Sequence, residues 1–204
     1  MREIPATKSN LLKVKKQYSF IQEGHSLLDE KRKILMLELT SIVHVADKLQ
    51  KDVDTALKQA YALVDKAAVM VGEKKLNELA MAVDIKNELS ISGRAVMGVN
   101  LPMIRLNIRD NPPYYSALGV SMSVDEVIAS FKEVMELLVR LAEKKIAFLR
   151  ISRELQKTIR KVNALEKIHM PYYRANLKSI TDRLEEESRE SFFMLKLIKK
   201  RRRN

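Results

Sequence analysis
The sequence predicts an all-α protein: two long helices folded back as an antiparallel coiled coil, with a small central insert made of a short helix and a β-hairpin. Three observations carry this. One heptad stripe runs unbroken from Leu11 to Met70. A second, noisier stripe follows a helix-start signal at Ser123. Between them the apolar period falls to two residues, which is the period of a strand. The expected segments are residues 1–71 for the first helix, 72–122 for the insert, and 123–204 for the second helix with its basic tail.

Stepping alternately by three and four residues gives Leu11, Val14, Tyr18, Ile21, His25, Leu28, Arg32, Leu35, Leu39, Ile42, Ala46, Leu49, Val53, Ala56, Ala60, Leu63, Ala67 and Met70. Only His25 and Arg32 are neither apolar nor aromatic. A 3.5-residue spacing held this long means a helix that supercoils against a partner. A compact globular helix would end after about 8–20 residues. Such rods usually carry position or force rather than chemistry.

In the insert, Glu73, Leu76, Leu79, Ala80 and Val83 fit a short helix over residues 73–84. Beyond it Leu89 and Ile91 alternate with Ser90 and Ser92, and Ile104, Leu106 and Ile108 alternate with Arg105, Asn107 and Arg109. These are two strands. Gly93 and Gly98 lie between the runs, and either suits the positive φ of the turn. Pro102 confines its strand to an edge or a bulge. Pro112, Pro113 and Gly119 then lead into the second helix.

Ser123-Val124-Asp125-Glu126 reads as a capping box, with Asp125 and Glu126 also suited to the positive end of the helix dipole. The following stripe is Val127, Phe131, Val134, Leu138, Leu141, Phe148, Leu155, Ile159 and Val162, broken at Lys145, Ser152 and Glu166. It resumes in a shifted register at Ile180, Leu184, Leu195 and Ile198. Pro171 falls inside the pattern. It removes a hydrogen bond and crowds the carbonyl four residues back, so a kink or local distortion is expected there rather than a stop.

An antiparallel pairing of the two helices puts residues whose numbers sum to about 195 opposite each other. It also brings both termini to one end and the insert to the other. Arg32 then lies near Glu166. Either the two form an ion pair at the seam, which fixes register more than it stabilises, or both reach out to water.

The composition agrees with long helices. The 204 residues include no Trp and only five Gly and five Pro, and charged residues make up 31%. Few turn-formers over this length leave few, long elements. No cysteine is present, so there is no disulfide framework, which fits a reducing cytosol. No apolar run reaches the ~18–20 residues that span a bilayer. The expected protein is soluble.

Of the net charge of +12, +10 sits at the two ends. Residues 1–16 contribute +4, counting the one acidic residue, Glu3, and the run Lys196, Lys199, Lys200, Arg201, Arg202, Arg203 contributes +6. The body is close to neutral.

Nothing in the sequence marks catalysis. Neither GxxxxGK[ST] nor GxGxxG is present. His25, His44 and His169 stand far apart, without the four converging ligands a zinc site needs. Glu185, Glu186 and Glu187 read as a solvated helix face. No metal, cofactor or catalytic residue is expected. The basic tail leaves one alternative, a basic coiled-coil nucleic-acid-binding protein. It has no aromatic residues interleaved in its basic end for base stacking.

Four stretches resemble the D subunit of the V-type and A-type rotary ATPases. They are Pro5-Ala6-Thr7-Lys8-Ser9-Asn10-Leu11-Leu12, Gly24-His25-Ser26-Leu27-Leu28-Asp29-Glu30-Lys31-Arg32, Val96-Met97-Gly98-Val99-Asn100-Leu101-Pro102, and Lys161-Val162-Asn163-Ala164-Leu165-Glu166 with Pro171 downstream. Phe192-Phe193-Met194-Leu195-Lys196 also fits. The Arg-rich end after Lys200 has no counterpart in that pattern.

The resemblance implies a rotor shaft without catalytic residues of its own. Its paired termini would enter a hexamer of A and B subunits. The F subunit would lie alongside, and the C subunit (called d in eukaryotes) would connect the shaft to the membrane rotor ring. The shaft would pass torque between ATP turnover and ion transport, with no direct nucleotide or nucleic-acid binding. On that basis the candidate hexamer-cavity contacts are Lys8, Lys13, Lys196, Lys199, Lys200 and Arg201. The candidate seam pair is Arg32 and Glu166. The candidate contacts for the F or C subunit are Ile91, Val96, Met97, Val99, Leu101 and Met103.

Overall fold
A computed structural model describes residues 5–83, 85–109, 112, 114–115 and 122–202. Glu3, Asp84, Pro113, Gly119 and Arg203, which figure in the sequence reading, lie outside the described residues. The elements in order are α1 (Lys8–Val71), α2 (Glu73–Ala82), β1 (Lys86–Val96), β2 (Val99–Arg109), α3 (Met122–Ala164), a π-helical turn (Leu165–His169) and α4 (Met170–Arg201). The protein is therefore mostly helical, with a two-stranded antiparallel hairpin in its middle.

Two compact units are present, and they cut across the long helices. One holds residues 1–34 with 155–204; the other holds residues 35–154.

In the first unit, α1 starts on a side-chain cap. The Thr7 hydroxyl accepts the Asn10 N–H at 3.2 Å, and the Asn10 side chain donates to the Pro5 carbonyl at 2.9 Å. Leu11 N–H then reaches the Thr7 carbonyl. A threonine whose oxygen meets the third helical amide is the usual helix start, which gives the Pro-x-Thr opening a structural reason. Val14 of α1 is buried here, as are Leu155, Thr158, Val162 and Ile180 of the returning chain. A shallow groove lined by Leu11, Leu12, Thr181 and Leu184 brings these parts of the two helices together, which fits the expected register.

Pro171 does distort the helix. The five residues Leu165–His169 form a π turn just before it, and α4 continues with the proline in its first turn. Widening the preceding turn accommodates the ring and the missing donor without ending the helix.

In the second unit, the core of α1 is Leu35, Ile42, Val53, Ala60 and Ala67. The spacing is seven except for eleven between Ile42 and Val53. An eleven-residue step relaxes the left-handed supercoil that strict sevens impose. It also moves the fully buried position from one class of stripe residue to the other. Facing it, α3 buries Val124, Val134, Leu141, Ala147 and Ile151. Tyr61 meets Phe131 edge to face, with ring centroids 6.0 Å apart. Lys145 Nζ donates to Gln50 Oε1 at 3.0 Å, again in the expected register.

Several expectations change. Phe148 and Leu138 are 36% and 39% exposed, and the core takes Ala147, Ile151 and Thr158 instead. Lys145 and Ser152 thus do not interrupt the seam: Val134, Leu141, Leu155 and Val162 keep their places in it, and the alternate positions shift by one residue, to Ile151 and Thr158. Helix α3 begins at Met122, so Ser123 sits inside the first turn and not ahead of it. The helix start is held by the loop's tyrosines. Tyr115 O–H donates to Asp125, and Lys132 donates to the Tyr114 hydroxyl at 3.1 Å while lying over its ring. Burial, and then the Asp125 carboxylate, push the Tyr115 hydroxyl up to about 12.

The hairpin is longer than the alternation alone suggested, with eleven residues per strand and no bulge. Its turn is Met97-Gly98, with φ of 48° and 79°. Positive φ at both central residues is the mirror-image turn that matches the strands' twist. Gly93 lies within β1, where a Cβ would run into the Asn100 side chain.

Candidate functional site
The hairpin does not stand off the end of the helices. It folds back along them, and its tip packs between α1 and α3. A small cleft there is lined by Glu38, Ile42, Leu101, Pro102, Met103 and Ala147. Glu38 lies about 33 residues before the end of α1, a retreat of roughly 50 Å at the helical rise. The expectation that the whole insert sits beyond the far end of α1 therefore fails for the hairpin. Its apolar tip residues find more cover against two helices than in water.

Three polar contacts hold it. Arg94 Nη2 pairs with Glu38 Oε1 at 3.2 Å. Ile104 N–H donates to Glu143 Oε2 at 2.9 Å. Arg150 Nη1 donates to the Asn100 carbonyl at 2.7 Å. Burial pushes the Glu143 carboxyl up, but the Lys144 ammonium at 2.8 Å and the Ile104 amide outweigh it and hold the group below its ordinary 4.5. A depressed carboxylate stabilises the folded state above the unfolded pKa, and that contribution is lost as pH falls through the lower folded value. As pH falls below about 4.5 the wild-type hairpin is therefore expected to dock less firmly as Glu143 protonates, and Glu143→Gln to flatten that dependence. Fluorescence from a probe on the hairpin turn, followed against pH, reads the difference; equal slopes would remove Glu143 from the latch.

The hairpin candidates divide. Ile91, Met97 and Met103 are 71%, 45% and 41% exposed and open to a partner. Val96 is half-buried. Val99 and Leu101 are buried at 8% and 6% under their own helices, so they anchor the hairpin instead of meeting another protein.

Arg32 pairs with Asp29, 2.6 Å away on its own helix, and Lys33 reaches the other oxygen of the same carboxylate at 3.0 Å. The Lys33 hydrogen bond is the main reason the Asp29 carboxyl lies below its ordinary value. Glu166 falls in the π turn and is exposed. His25 faces inward: its Nε2 is buried with no hydrogen-bond partner among the described residues.

At the termini the basic residues Lys8, Lys13, Lys196, Lys199, Lys200 and Arg201 are all exposed. They do not form one merged tip. Lys8 lies beside Glu185 and Ser188, and α4 runs on to Arg201 with no α1 residue beside it among the described residues. Lys196 is thus about 12 Å further along the helix than Ser188.

This overrun carries the feature that sequence reading missed. Phe192, Phe193, Met194, Leu195, Leu197 and Ile198 are 56–67% exposed and run into the basic residues that begin at Lys196. The apolar pattern puts Leu195 and Ile198 in the helix seam, but α1 starts too late to cover them. The sequence signal lies in the comparison of helix ends: with a sum near 195, α1, which starts at Lys8, has no residue to pair with those beyond about 187. A second uncovered group is Val69 and Met70 at the end of α1, Met81 in α2 and Met122 at the start of α3.

Among the described residues no helix is long and apolar enough to cross a membrane, and no group of His, Cys, Asp or Glu is placed to hold a metal ion. These features define a class, an antiparallel coiled-coil protein with a docked side hairpin and uncovered apolar helix ends. The profile of the ATP synthase D-subunit family matches residues 10–200. The A-type ATP synthase D subunit of Thermococcus sibiricus is 35% identical over 97% of this chain and 94% of its own length. Those of Pyrococcus furiosus and Methanosphaera stadtmanae are each 34% identical over the same shares. The chain belongs to the ATP synthase D-subunit family.

Proposed function
We propose that this chain is the central rotor shaft of a V/A-type rotary ATPase. Its terminal helices enter the hexamer of A and B subunits, and ATP turnover there drives the shaft around. The shaft passes that torque to the membrane ring through the C (d) subunit, with the F subunit alongside; in reverse it supports synthesis. It carries no catalytic residue and binds no nucleotide, and it works in the cytoplasm as part of the sector peripheral to the membrane.

One observation carries the reading: α4 overruns α1 with large apolar side chains and lysines exposed all round. A free-standing protein rarely leaves Phe192, Phe193 and Leu195 uncovered in one stretch. A cavity ringed by several subunits covers a single helix on every side. The basic residues add attraction to an acidic lining within a Debye length of ~8–10 Å. The uncovered group Val69, Met70, Met81 and Met122 suits the dock on the C subunit, and exposed Ile91, Met97 and Met103 suit the F or C subunit.

Native mass spectrometry of the chain mixed with purified A–B hexamer and nucleotide tests this. One copy per hexamer is expected, because a central cavity admits one shaft. Several copies, or none, would reject the axle role, and duplex binding that falls steeply with salt would put a nucleic-acid function in its place.

A further inference from the structure
The two edges of the hairpin are treated very differently. Ile91 is opposite Ile104 in the register. The Ile104 amide donates to Glu143, away from β1. In an antiparallel ladder both members of such a pair turn their N–H and C=O outward, and the pairs alternate. The outward residues of β2 therefore include Asn100, Pro102 and Ile104; those of β1 are Asn87, Leu89, Ile91, Gly93 and Ala95. A two-residue turn closing on a bonded Val96–Val99 pair gives the same parity.

The β2 edge is closed by the chain itself. Arg150 donates to the Asn100 carbonyl, Pro102 has no amide to offer, and Glu143 accepts from Ile104. The β1 edge is open. Every residue from Lys86 to Ala95 is exposed, and among the described residues no group bonds the outward amides of Leu89, Ile91 or Gly93. No proline, bulge or charged side chain guards those five outward positions, the devices that normally protect a free edge.

The strand faces are also divided. Leu89 and Ile91 share one face with Ile104, Leu106 and Ile108, and are 58% and 71% exposed. All the charges, Lys86, Glu88, Arg94, Arg105 and Arg109, stand on the other face, four basic against one acidic.

We infer that β1 is a strand-addition site, where an extended segment of a neighbouring subunit pairs with the edge at Leu89–Gly93. An alternating row of N–H and C=O groups is matched in full only by another backbone. The segment is apolar on the side that covers Leu89 and Ile91, and polar with acidic residues on the side of the basic face. This rests on the reading of the chain as one subunit of a rotary complex; it adds where and how a partner grips the shaft.

Site-resolved amide hydrogen exchange tests it, on the free full-length chain and on the soluble sector reconstituted from its purified subunits. The amides of Leu89, Ile91 and Gly93 are expected to exchange rapidly in the free chain and roughly a hundredfold or more slowly in the assembly. Ile91→Pro, which removes an outward amide as Pro102 already does on β2, is expected to abolish that protection while the inward amides of Ser90 and Ser92 stay slow. A chain that incorporates with its β1 edge still exchanging fast overturns strand addition and leaves the axle reading intact. A chain that fails to incorporate overturns both. Protection that grows with the concentration of the free chain makes the occupant a second copy and overturns the assignment.

Discussion
Replacing Phe192, Phe193 and Leu195 together by serine is expected to weaken binding to the A–B hexamer at least a hundredfold and leave the folded chain almost unchanged. The three side chains are 63–67% exposed, so the free chain loses nothing by their removal. In a closed cavity each would bury most of its surface, worth about 1.5–3 kcal/mol per side chain. Ordering and imperfect fit consume part of that sum, but a hundredfold needs only about 2.7 kcal/mol. Titration of hexamer with the triple variant, alongside thermal unfolding followed by circular dichroism, separates the two effects. Unchanged affinity would place the overrunning helix outside the cavity. A large loss of stability would mean that those side chains are covered within the chain.

Leu35→Ala is expected to destabilise the protein by ~2–5 kcal/mol, the range for deleting a buried leucine and leaving its cavity. Leu35 has no exposed surface, whereas Leu37, two residues on, is 72% exposed. Leu37→Ala is therefore expected to change stability by less than ~0.5 kcal/mol. Urea titrations of both variants, read by helical signal, check the contrast. Equal effects would mean that the seam is not where the heptads put it. The comparison suits a coiled coil, because neighbouring residues of like chemistry differ only in which way the helix turns them.

Much of this fold was legible. The stripe from Leu11 to Met70 names the buried residues of α1, because a supercoiled helix has one contact face and seven-residue spacing keeps to it. The change to period two at Leu89 announced the hairpin, while its turn stayed open between Gly93 and Gly98 until the structure gave it to Gly98. Pro171 announced a distortion, since its ring and missing donor act within its own helix. The antiparallel register followed from setting the helix ends on either side of the insert, residues 71 and 124, opposite each other, and Gln50–Lys145 and the groove shared by Leu11 and Leu184 fit it.

The second helix was less legible for a physical reason. Apolar residues at Phe148 and Leu138 matched a seam pattern, but the facing helix decides which positions it covers. Alanine at 147 and threonine at 158 are small enough to let the helices approach, and neither stands out by hydropathy.

By itself, then, the sequence determined the class of fold, the register of the helix pair and the family, because these depend on local periodicity and on motifs spread along the chain. Tertiary structure decided what the surfaces can do. Only the folded hairpin shows Val99 and Leu101 turned inward, Glu143 and Arg150 closing one edge, and the other edge open. Only the paired helix ends show α4 running on past the start of α1. Each depends on residues far apart in sequence meeting, or failing to meet, and no local pattern records that.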